Sequence, residues 1–124
     1  MKSNRQATRL FFQALILVFF GLAAAEPAFA TPPEDIQLKY NLATQTLSVT
    51  ISHDTMLKGS HHVKVVKIQK NGAIVSINTY GSQPTGKTFT YEYKMPAIEE
   101  DTFVVTATCN MYGSKTSSML TVMP

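Results

Sequence analysis

The 124-residue sequence predicts an all-β fold, a seven-stranded immunoglobulin-like antiparallel β-sandwich preceded by a cleaved leader. Three observations carry this. Apolar residues alternate with polar ones at period 2 through most of the chain after residue 35. Turn-forming residues interrupt the alternation at regular intervals, and no stretch beyond the leader has helical periodicity. The remaining segment, 31–124, suits one domain with a single core and is too short for two.

The leader comes first. Lys2, Arg5 and Arg9 form a basic start, Leu10 to Ala25 is apolar apart from Gln13, and Ala28-Phe29-Ala30 supplies the small-x-small pattern of a signal-peptidase site. The apolar run is shorter than the ~20 residues of a spanning helix, and Pro27 follows it closely. The expectation is a Sec-type signal peptide over 1–30, cleavage between Ala30 and Thr31, and a periplasmic or secreted domain over 31–124. No stable membrane anchor is expected: Cys109 is the only cysteine, so no lipobox precedes the domain, and Arg9 has no arginine neighbour for the twin-arginine route.

The strands follow in order. Ile36, Leu38 and Tyr40 share one parity, and Asn41 to Gln45 turns the chain. Leu47, Val49 and Ile51 form a second half-buried run, with Thr46, Ser48, Thr50 and Ser52 facing the other way. His62 to Lys70 reads as a third strand, whose apolar parity switches between Val65 and Val66, as a bulge or two-sided burial would require. Asn71-Gly72 has the residue pair of a type I′ hairpin turn, so Ala73 to Tyr80 is the fourth strand. Phe89, Tyr91 and Tyr93 mark a fifth strand, stopped by Pro96. After the acidic turn Glu99-Glu100-Asp101, Phe103, Val105, Ala107 and Cys109 line one face of a sixth. Asn110 to Gly113 has the Asn and Gly placement of a type I turn, and Ser117 to Met123 makes the seventh.

Charge excludes one class of partner. The formal net charge of +3 belongs largely to the leader. Without Lys2, Arg5, Arg9 and Glu26, eight lysines face seven acidic residues, leaving no basic face for nucleic acid or anionic lipid.

Few residues are left to carry chemistry. A single cysteine in an exported domain cannot form an internal disulfide. Cys109 is therefore a buried small hydrophobe, half of an intermolecular bridge, a reactive thiol or a metal ligand. The three histidines, His53, His61 and His62, all fall in and around the loop joining the second and third strands. His61 and His62 are neighbours, so on extended backbone they point to opposite sides. No nucleophile elbow, oxyanion loop or phosphate-cradling glycine loop accompanies them. Glu99, Glu100 and Asp101 have the chemistry for a hard cation, but such a run is ordinarily a solvated turn.

Two segments, Ser52-His53-Asp54…His61-His62-Val63…Ile68 and Ala107-Thr108-Cys109-Asn110-Met111-Tyr112-Gly113, together resemble the iron-binding domain of the desulfoferrodoxin and superoxide reductase family. The likeness spans most of residues 31–124, and the family fold is also a seven-stranded immunoglobulin-like sandwich. The resemblance implies a mononuclear iron site in which His53 matches the first loop histidine, His61 the histidine leading the next strand, and Cys109 the axial thiolate. His62 takes the neighbouring aromatic place and Tyr112 stands where the family's C-N-x-H-G motif has histidine; both are further candidate ligands. No counterpart of the family's N-terminal histidine precedes His53, and Asp54 replaces the proline that usually follows it. The implied function is redox chemistry on superoxide or another small substrate, fed by an electron donor, with an incomplete set of iron ligands. Two rivals accompany it: a metal-free immunoglobulin-like interaction module, and a soft-metal site in which Cys109, Met111 and a histidine hold copper.

Overall fold

A computed structural model describes residues 31–124, so the expected leader lies outside the described residues. These residues form an all-β structure without helix: β1 (Asp35–Asn41), β2 (Thr46–Ser52), β3 (Val63–Lys70), β4 (Ala73–Thr79), β5 (Thr88–Lys94), β6 (Thr102–Cys109), β7 (Ser114–Thr116) and β8 (Leu120–Thr121). Two antiparallel sheets result. One has the order β1-β2-β5; the other has β4-β3-β6-β7, with β8 also paired to β6.

Alternation sets which residues meet between the sheets. Leu47, Val49 and Ile51 of β2 and Phe103, Val105 and Ala107 of β6 are fully buried in one core, together with Val63, Val66 and Ile68 of β3. Each of the larger apolar side chains contributes about 1.5–3 kcal/mol by leaving water. The parity switch in β3 has its expected cause: the β3–β6 register slips between Val63 and Val65, so Val63 and Val66 are both buried although three positions apart. The Asn71-Gly72 turn has φ of 51° and 82°, as the sequence predicts, and joins Lys70 to Ala73.

A tyrosine set ties the sheets together along one side. Tyr80, just after β4, stacks on Tyr91 of β5 with ring centroids 4.2 Å apart and donates or accepts a 2.7 Å hydroxyl contact with Tyr93. The acidic turn is likewise more ordered than a solvated run. Asp101 accepts hydrogen bonds from Asn71 Nδ2 and Ile98 N, and lies 3.7 Å from Lys70 Nζ, which holds its carboxyl below the usual range, the Asn71 bond first among the causes.

The last strand corrects the expectation. A single run over Ser117 to Met123 is replaced by two short pieces on the same side of β6, the first starting at Ser114. Ser117 causes the break: its N–H donates to Val105 O while its side-chain Oγ accepts from Val105 N. A hydroxyl thus takes the place of a main-chain carbonyl, and the ladder is interrupted over 117–119 before β8 resumes it.

Candidate metal centre

Topology brings the histidines and the cysteine to one end of the sandwich. His53 follows the last residue of β2, in the three-stranded sheet, and His61 lies two residues before β3, in the other sheet. The segment between them therefore crosses the open end between the sheets. Cys109 closes β6, and its Cα partner across the ladder is Val63, two positions beyond His61.

One potential ligand atom from each of His53, His61 and Cys109 lies within 4.8 Å of the others, and all three residues are buried. The two imidazoles meet edge to face, with centroids 4.8 Å apart. His62 points elsewhere: its Nε2–H donates to Tyr80 O at 3.0 Å, and its Nδ1 is buried without a partner. Tyr112 is 62% exposed and Met111 56%, so both face solvent on the turn after Cys109.

Hydrogen bonds determine what each ring offers. Gln83 is buried in the loop between β4 and β5, and its amide orientation is set by two donations from Nε2, to His53 O and to Thr85 O, both 2.8 Å. Its Oε1 is therefore an acceptor, taking Val63 N–H at 3.1 Å and His53 Nδ1–H at 2.8 Å. With Nδ1 carrying a proton, the neutral His53 ring keeps its lone pair on Nε2. That is the arrangement of a ligating histidine whose other ring nitrogen is held by an outer partner. His61 is 5% exposed, and its Nε2 has no hydrogen-bond partner. Burial lowers its pKa, the adjacent His53 and then His62 add to this, and the Thr31 carbonyl works against it. The ring is thus held in the neutral form that binds metals.

Asn110 clamps the cysteine turn to the histidine loop. Its Nδ2 donates to Ser60 O at 2.9 Å, its Oδ1 accepts His62 N–H at 2.9 Å, and its own N–H donates to His62 O at 3.0 Å. These bonds flank His61 on both sides. The loop is braced further by Thr55 N to Gly86 O and His53 N to Lys87 O, both 2.8 Å. Gly86 permits the first, since a Cβ there would sit 2.7 Å from Thr55 O.

The family resemblance brought His53, His61 and Cys109 forward; nothing in the sequence marked Gln83. No period or motif marks Gly81-Ser82-Gln83-Pro84 as anything but a loop, and only the fold shows that the glutamine reaches back 30 residues to His53. Asn110 carried a signal, as the residue after the cysteine in C-N-x-x-G, but its clamping role is also a product of the fold. Comparison of the chain with protein-family models, with curated proteins and with solved structures finds no match.

Proposed function

We propose that this chain is an exported, periplasmic or secreted redox protein of the desulfoferrodoxin type, holding one iron ion at His53, His61 and Cys109. The observation that carries the reading is the convergence of two imidazoles and a thiol at one buried point, one ring oriented by Gln83 and the other with a free buried nitrogen. A buried polar atom left without a partner costs about 1–3 kcal/mol, a cost that coordination would remove. The strand order, β1-β2-β5 against β4-β3-β6-β7, is also what an immunoglobulin-like sandwich would have, as the resemblance implies.

When bound, iron would supply a one-electron couple for superoxide or another small oxidant, fed by an external donor. The protein's own residues would do the rest. Gln83 would hold the His53 ring through Nδ1 and leave Nε2 for a metal, Asn110 would fix the Cys109 turn against the segment carrying His61, and Cys109 as thiolate would donate electron density to the metal.

A second reading is favoured by the number and closure of the donors. A His2Cys set is the pattern of copper electron-transfer sites, and His53, His61 and Cys109 are at most 5% exposed, which suits electron transfer better than substrate entry. The test is to purify the protein from its export compartment, measure its metal content, and titrate the metal-free form separately with ferrous and copper ions. Stoichiometric iron supports the first reading and stoichiometric copper with a thiolate charge-transfer band the second. Binding of neither would leave a metal-free interaction module.

A further inference from the structure

The main chain of Thr31 reaches the candidate centre. Its carbonyl oxygen lies 2.9 Å from His53 Nε2. Because Gln83 takes the Nδ1 proton, a neutral His53 turns a lone pair, and no proton, toward that oxygen. Two lone pairs at hydrogen-bond distance need a cation between or beside them. No carboxylate pairs with the fully buried His53 among the described residues. A metal ion accepts both lone pairs at once.

The position of Thr31 is fixed by its neighbours. Pro32 packs on Gly113, the end of the turn that carries Cys109; a Cβ on Gly113 would come within 2.8 Å of Pro32 Cβ. Gly113 O in turn accepts Cys109 N–H at 3.0 Å, and Glu34 N–H donates to Ser52 O at 2.7 Å, one residue before His53. The lead segment is thus bound on one side to the cysteine turn and on the other to the strand that presents His53.

The sequence places the expected processing point immediately before this residue, between Ala30 and Thr31. Hydrolysis of that peptide bond adds water across it, leaving Ala30 as a carboxylate and Thr31 with a free α-amine. Such an amine can release its proton and offer its lone pair to a metal. Its nitrogen and the carbonyl oxygen of the same residue close a five-membered chelate.

Building on the metal-centre reading above, we propose that Thr31 is a ligand through its main chain. Removal of the leader creates the α-amine that, with the Thr31 carbonyl, completes the His53–His61–Cys109 site. The centre is then assembled only in a processed, exported molecule.

The experiment compares three forms of the full domain: Thr31 first with a free amine, Thr31 first but N-acetylated, and an extended form retaining Ala30. Each is titrated with ferrous ion alone and with cupric ion alone against a competing chelator, after a melting curve of the metal-free protein. The free-amine form is expected to bind at least one of these ions on the order of tenfold or more tighter than the other two, with similar melting curves. In protein labelled with 15N-threonine, the paramagnetic complex of the free-amine form should show nitrogen hyperfine coupling that acetylation removes. Equal affinities in all three forms, with binding still lost on Cys109→Ser, would overturn the Thr31 proposal and leave the three-residue site standing. Binding of neither ion by any form would overturn both.

Discussion

Replacing Gln83 with leucine tests the outer support of the candidate centre without touching a proposed ligand. The side chain is 3% exposed and makes four hydrogen bonds, to His53 Nδ1, Val63 N, His53 O and Thr85 O, at 2.8–3.1 Å. Leucine has a similar size and satisfies none of them. At about 0.5–1.5 kcal/mol for each bond, and with the stranded buried groups weighting the sum upward, the loss is about 3–5 kcal/mol. A domain of this length has a total stability of about 5–15 kcal/mol, so the variant should still fold. The fall in melting temperature should be roughly 15–30 °C. The assay is urea unfolding of metal-free protein, with the slope m unchanged and the midpoint lowered. Iron or copper affinity should fall about 10–100-fold as well, because His53 loses the partner that sets its tautomer. A loss of stability below about 1 kcal/mol would refute the bonding argument. Unaltered metal affinity would refute the orienting role of Gln83.

Three further predictions follow from the same structure. Gly113→Ala places a side chain at φ 75° against Pro32 and should cost about 1–2 kcal/mol from the backbone alone, plus loosening of the lead segment, read as earlier proteolysis near Thr31. Burial and the neighbouring Tyr80 push Tyr91 up to about 12, and Tyr93 moves further in the same direction. These phenols stay neutral in the fold while the unfolded chain ionises near pH 10, so stability is full below about pH 10 and falls as pH rises toward 12. An absorbance titration should show both ionising only on alkaline unfolding; titration near pH 10 in folded protein would contradict this. Asn110→Ala removes the clamp on either side of His61 and should destabilise by about 2–4 kcal/mol, measured by chemical unfolding, with metal affinity falling in parallel; a neutral effect would mean the loop is held by other bonds.

The strands were legible because period-2 alternation is a direct consequence of burying one face. Leu47-Val49-Ile51 and Phe103-Val105-Ala107-Cys109 needed nothing beyond it. Asn71-Gly72 was legible for a different reason, since few residue pairs take positive φ twice in succession. The final strand was misread because Ser117 substitutes its hydroxyl for a carbonyl, an exchange that leaves no mark on hydrophobic pattern. At the candidate centre, the resemblance singled out His53, His61 and Cys109, rare residue types at or near the ends of recognisable strands. Gln83 and Thr31 were not singled out, because their roles come from contacts 30 and 22 residues away in sequence that only packing creates. His61 and His62 show the intermediate case. The sequence allows at most one of the two to face a given site, and the fold decides which.

The central claim is that two imidazoles and one thiolate of this chain hold a single metal ion. The most direct measurement is X-ray absorption on the domain 31–124 loaded with ferrous ion. The account predicts one sulfur and at least two imidazole nitrogens bound to each ion, with the sulfur lost in Cys109→Ser and imidazole scattering reduced in His61→Ala. A spectrum with only oxygen and solvent scatterers, or one unchanged by either substitution, would contradict it.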